Sequence, residues 1–184
     1  MVKDELKKYF FNTSWMALEH FVKILAAIFV TAYVARYLGA SQFGVFSYAL
    51  AFVVIVESLS KLGLDNILVR ELVRRPEEKS ILLGTAFRLR VFSAAASFLV
   101  LMGVSFLETD RVSSQILQIF TLAVLCQPFD LADQYYQSLV HYKVISKIRV
   151  AAVFVVSIFK VWGVYLGYSL SFFVWMFVLE SFLR

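Results

Sequence analysis

Glu19 and Lys23 stand at i,i+4 inside an otherwise apolar run, and Glu57 and Lys61 repeat that spacing in the next run. With the acid first, this is the favourable order for an ion pair along a helix. Arg88 and Arg90 interrupt a third apolar run, Asp130 and Asp133 a fourth, and Lys160 a fifth. Ionisable groups are costly in hydrocarbon, so each marks a place where a ligand, an ion or a counter-charge is handled. Such groups can bind or pass charge, but bond-cutting chemistry is poorly supported. His20 and His141 are isolated and lack metal-ligand spacing, which leaves capping or interfacial roles. The sequence has no glycine-rich phosphate loop, and no Ser or Cys nucleophile has a base beside it. Asp130 and Asp133 form a carboxylate pair, yet no acceptor or metal motif accompanies them. The expectation is a chain without a metal or cofactor that is not an enzyme.

The runs holding these residues are long. Of the 184 residues, 61% are apolar, against about 45–50% in soluble domains. The mean hydropathy is +0.78. Charged residues make up only 17% and cluster between the runs, so the net charge of +5 does not point to nucleic acid. Binding of single strands would also need stacking aromatics among dense Lys and Arg in a polar setting. A bilayer-crossing helix needs about 20 mostly apolar residues. Six candidates fit, at roughly 11–38, 43–62, 81–106, 115–139, 144–166 and 168–184. The alternation of barrel strands is absent. The expected fold is therefore all-α, a polytopic membrane bundle of six transmembrane helices forming one domain over 1–184.

The first run is too long for a cleaved signal and lacks an Ala-x-Ala site, so it is expected to remain as an anchor. Cys126, the single cysteine, rules out an internal disulfide and reads as a small buried hydrophobe. Lys3, Lys7 and Lys8 precede the first run. Arg70, Arg74, Arg75 and Lys79 fill the second connection, and Lys143, Lys147 and Arg149 the fourth, while the third holds only Arg111. That asymmetry predicts a cytoplasmic N-terminus in a multi-pass protein of the cell membrane. Trp15, Tyr37, Tyr142 and Trp162 suit interfacial anchoring. Residues 2–11 and 64–75 read as amphipathic segments at the interface, the second ended by Pro76. The last run is the shortest and stops without a polar tail, so the chain is expected to be a piece of a longer protein.

Helical rows suggest which faces turn inward. The row through Glu19 and Lys23 continues to Ala27, Thr31 and Ala35, small residues that let a neighbour approach. Phe21, Leu25, Ile28 and Phe29 lie opposite, toward lipid. In the second run Gly44, Ser47 and Ala51 share the half of the helix that holds Glu57 and Lys61. Arg88 and Arg90 sit roughly 10–14 Å above the inner end of their run, and Asp130 about 13 Å above its own. Matching depths predict pairing of Arg88 and Arg90 with Asp130 and Asp133, beside a kink at Pro128. Two arrangements stay open for the charges. Either they face one another and line a wet vestibule open to the cytoplasm, or they lie near the surface and snorkel. Arg36 falls toward the bulky side, where outward snorkelling is available. Lys160, about 9 Å below the outer end of its run, reads as a cavity residue.

The segments ARYLGASQFGVFSYALA (residues 35–51) and KLGLDNILVRELVR (residues 61–74) resemble the N-terminal signature of polysaccharide-export flippases of the Wzx type. The flippases belong to the superfamily of multidrug, oligosaccharidyl-lipid and polysaccharide exporters. The matching positions include Arg36, Gly39, Gly44, Gly63, Asp65 and Arg70. The resemblance implies two six-helix lobes around a central cavity, of which this chain corresponds to the first. It implies alternating access and a polyprenyl-pyrophosphate-linked oligosaccharide as substrate, with the tail left in membrane lipid. The missing C-terminal lobe, or a second chain, would then be the protein partner. Lys23, Arg36, Arg88, Arg90 and Lys160 become candidates for the anionic head. Glu19, Glu57, Lys61, Asp130 and Asp133 would form the polar network around it. Asp65 and Arg70 either contact substrate or cap and anchor the cytoplasmic turn. The alternative to a flippase is a non-transporting membrane scaffold that kept the lobe and lost the pathway, or a decayed fragment of a flippase.

Overall fold

A computed structural model describes residues 2–61, 63–139 and 142–183, with side chains described for 14, 17–18, 20–61, 63–139 and 146–183. The side chains of Lys3, Lys7, Lys8, Trp15, Glu19, His141, Tyr142 and Lys143, and the roles expected of them, lie outside those residues.

Every element among the described residues is helical. The order is α1 (Val2–Lys61), α2 (Leu64–Arg74), a 3-10 turn (Pro76–Glu78), α3 (Lys79–Leu107), α4 (Arg111–Val124), a second 3-10 turn (Gln127–Asp130), α5 (Leu131–Ser138), α6 (Tyr142–Tyr165) and α7 (Leu170–Phe182). Four helical stretches are long and apolar enough to cross a membrane: His20–Arg74, Pro76–Leu107, Arg111–Ser138 and Ser146–Tyr165. The apolar α7 is shorter, at 13 residues. Residues 2–11 are not set off as a separate surface helix, because α1 runs through them.

Inside α1 one residue departs from helical geometry, Gly39, with φ 72 and ψ 172. That region is essentially closed to residues carrying a Cβ, so glycine is what allows the break. Ala26, Val30 and Thr31 before it line the same cavity as Phe46 and Leu50 after it. In a straight helix Ala26 and Leu50 would be about 36 Å apart. The chain therefore doubles back at Gly39, and the two halves of α1 lie side by side.

The core gathers around α4, which packs against α1, α3 and α7. Phe120, fully enclosed, makes edge contacts with Phe46 at 5.2 Å and Phe177 at 5.0 Å between ring centroids. Ile116, Leu117 and Val124 extend the same row, meeting Ala49 and Val53 of α1. This corrects the face expected for the second run. Ala49 and Val53 turn inward, while Gly44, Ser47 and Ala51 are exposed. Helical phase allowed either half, and close packing against the bulky row of α4 selected the half that presents Ala49. On the outside, Phe29, Phe92, Leu99 and Phe106 are each 70–75% exposed. Water would penalise so extensive an apolar surface and hydrocarbon would not, as befits a multi-pass membrane protein.

The ends of the helices follow local chemistry. Asp110 caps α4, its Oδ2 accepting from the Ser113 amide at 2.9 Å and the Ser113 hydroxyl at 2.7 Å. Those bonds hold its carboxyl below the ordinary aspartate value. A carboxyl lowered on folding adds stability that is complete above its unfolded pKa and lost as pH falls through the folded one. Protection of the Ser113 and Ser114 amides in hydrogen exchange is therefore expected to drop on acidification through the lower end of the carboxylate range. In an Asp110→Asn variant, which can still cap, that pH step should vanish. An unchanged step would show that another group causes it.

Candidate functional site

Two polar assemblies interrupt the apolar interior. The first is a cavity of about 410 Å³ bounded by both halves of α1, by α6 and by α7. Its walls are largely small or apolar, including Ala26, Ala27, Val30, Leu50 and Val153, and its charged lining residues are Lys23, Lys160 and Glu180. Lys160 Nζ lies 2.8 Å from Glu180 Oε2, and both side chains are about one-fifth exposed. Ten residues of helix separate Glu180 from the Leu170 end of α7, so its backbone lies about 15 Å along that axis. A Lys–Glu pair there is expensive to keep, and hydrophobic residues would hold the helices as well. What brings the pair together is the close packing of α6 on α7. A Cβ at Gly163, one turn after Lys160, would overlap the Phe172 ring.

The second assembly lies at the Lys61 end of α1. Arg90, 6% exposed, pairs through Nη2 with Asp65 Oδ1 at the start of α2. Its Nη1 donates to the Gln127 carbonyl at 3.3 Å. With the Gln134 amide oxygen turned toward it, Nη2 also donates there at 3.2 Å. Ser60 donates to Gln127 Oε1 at 2.7 Å, and Ser93 donates to the Ser60 carbonyl at 2.7 Å. Asp133 of α5 pairs with Arg149 of α6. Pro128 makes this possible, since the chain takes a 3-10 turn there and exposes carbonyls that a continuous helix would use internally. A small cavity beside the turn, about 20 Å³, is lined by Glu57, Lys61, Cys126, Gln127, Asp130 and Ser181. The half-buried Cys126 thus borders a polar space.

Set against the expectations, the residues separate cleanly. Lys23 and Lys160 share the large cavity. Glu57, Lys61 and Asp130 share the small one. The pairing of Arg88 and Arg90 with Asp130 and Asp133 does not form: Arg90 turns to Asp65, Asp133 to Arg149, and Arg88 is exposed. Equal depth placed these groups in one layer, but the packing of α2 on α3 and of α5 on α6 supplied nearer partners. Arg36 is exposed near the Gly39 turn, and Arg70 is exposed beside Glu71 at 3.4 Å. Gly63, at φ 66, precedes α2, and Gly44 has nothing within 4 Å of an added Cβ. The residues missed by sequence reasoning are Glu180, Arg149 and Gln127. Glu180 carried a signal, being the one acid in the 168–184 run.

No curated protein and no solved structure matches the chain. A family model described as polysaccharide biosynthesis protein matches residues 10–184. The matched region contains both polar assemblies and the glycine at the reversal of α1, and the chain belongs to the polysaccharide biosynthesis protein family.

Proposed function

We propose that the protein moves a polyprenyl-pyrophosphate-linked oligosaccharide across the cell membrane for surface polysaccharide biosynthesis. In this reading the chain forms one lobe of an alternating-access flippase and works with a second lobe or second chain. The chain crosses the membrane six times with a cytoplasmic N-terminus. The reversal of α1 at Gly39 and the Lys/Arg asymmetry of the connections support that topology. The observation that carries the reading is the cavity with Lys23 and Lys160, enclosed by apolar helices in a member of this family. A pyrophosphate head is strongly hydrated and cannot cross hydrocarbon alone. Two ammonium groups in a wet cavity compensate its charge, while the polyprenyl tail stays in lipid.

Expressed from its gene in cells lacking their own flippase, the protein should restore surface glycan and clear the accumulated lipid-linked precursor. Lys23→Gln should lower export about 10–100-fold at normal protein level, the worth of one charge-assisted hydrogen bond. The Lys160–Glu180 pair favours one other reading, a non-transporting scaffold in which that pair merely fastens α6 to α7. Under it, the protein restores no surface glycan in those cells, with or without Lys23.

A further inference from the structure

Arg88 belongs to neither polar assembly. It is exposed, and among the described residues it makes no ion pair or hydrogen bond. Ile81, Phe92, Leu99 and Phe106 lie within about 40° of it around the axis of α3, and all four are exposed. This row is lipid-facing surface, and it turns away from Ala86, Arg90 and Ala94 on the buried side of the helix. Apart from the buried Arg90, the next ionisable residue toward the C-terminal end is Glu108, about 30 Å further along at 1.5 Å per residue. Hydrocarbon is about that thick, so Arg88 and Glu108 stand at its two boundaries. A helical side chain leans toward the N-terminal end of its helix, which carries this guanidinium away from the hydrocarbon and between Gly84 and Thr85. An added Cβ at Gly84 would meet nothing within 4 Å, and Thr85 is exposed beside it.

We propose that Arg88 holds the phosphate of an acidic phospholipid, in the leaflet at the Lys79 end of α3, with the acyl chains along Phe92, Leu99 and Phe106. On the proposed topology this is the cytoplasmic leaflet, but the site does not depend on transport. A guanidinium offers two parallel N–H donors that match a pair of phosphate oxygens. The Thr85 hydroxyl supplies a further donor, and the open shelf at Gly84 makes room for the headgroup. Charge decides which phospholipid binds. Arg88 has no carboxylate of its own, and at that end of α3 Arg70, Arg74, Arg75 and Lys79 outnumber Glu71, Glu77 and Glu78. A lipid with a net negative charge neutralises the excess. A zwitterionic one brings an ammonium that competes with the guanidinium for its own phosphate, and the excess remains. Arg88 is thus an anchor of α3 at the headgroup level, outside the path of the transported head.

Native mass spectrometry of the purified protein, titrated with dioleoyl-phosphatidylglycerol or dioleoyl-phosphatidylcholine, reads the preference of the first bound molecule. The wild type should favour phosphatidylglycerol by about ten-fold, one charge-assisted contact. In Arg88→Met the preference should shrink to about three-fold or less. Arg74→Gln removes a cation outside the row and should stay within about two-fold of the wild type. A preference that survives Arg88→Met overturns the proposal. Equal loss in Arg88→Met and Arg74→Gln does so too, because it shows diffuse attraction to a basic end. Gly84→Leu fills the shelf and keeps every charge, so it covers the case in which Arg88→Met fails to fold. Its preference should also drop, and an undiminished one overturns the proposal equally. A wild type with no preference shows that something other than an acidic lipid faces Arg88, such as a carboxylate of a second lobe, and ends the proposal.

Discussion

Asp65→Ala is expected to destabilise the protein by about 3–5 kcal/mol, more than removal of its partner Arg90. The reason is the difference in burial across the pair. Arg90 is 6% exposed and Asp65 40% exposed. Removing Asp65 strands a buried guanidinium with little access to water. Removing Arg90, as Arg90→Met, leaves a carboxylate that water can still reach. The remaining cost is the donor lost to the Gln127 carbonyl and the Gln134 amide, about 1–3 kcal/mol. Thermal unfolding of the detergent-solubilised protein reads the difference, with a midpoint drop on the order of 10 °C for Asp65→Ala. If Arg90→Met proves the more damaging change, the ion pair is not what holds α2 to α3. Asp65→Asn should fall between the two, since it keeps an acceptor and loses the charge.

Gly39 and Gly44 are expected to answer substitution with opposite signs. Gly39→Val forces a β-branched residue into backbone geometry that only glycine adopts readily, at a cost of roughly 1–3 kcal/mol. The reversal of α1 depends on that geometry. The variant should therefore also lose affinity for a lipid-linked pyrophosphate, as Phe46 and Leu50 leave the cavity wall. Gly44→Ala meets open space on a helix and should gain about 0.5–1 kcal/mol. Unfolding midpoints of the two variants, measured beside the wild type, decide the matter. A tolerated Gly39→Val would mean the chain can double back without a special residue.

Partner choice was the least legible part of the sequence. Arg88 and Arg90 occupy similar depth, yet Arg90 is buried in a network and Arg88 is exposed. Two positions on a helix point about 200° apart, so one of the two had to face away. Which one was a matter of how α2 lies across α3. Glu180 is the one acid of the final apolar run, and it acquires a role only beside Lys160, 20 residues earlier in the chain. The second run showed the same ambiguity, since its small residues on one half and Ala49 with Val53 on the other both offered a packing face.

From residue types alone came the helices, the membrane setting and the break at Pro128, while the family came from the resemblance of two segments that include Gly39. The first three rest on composition or on short-range backbone sterics, which operate wherever the segment finds itself. Folding decided the pairing of Asp65 with Arg90 and of Lys160 with Glu180, and it enclosed Lys23 in a cavity. A helix sets the direction of each side chain about its own axis, but only the order in which helices pack determines what that side chain meets.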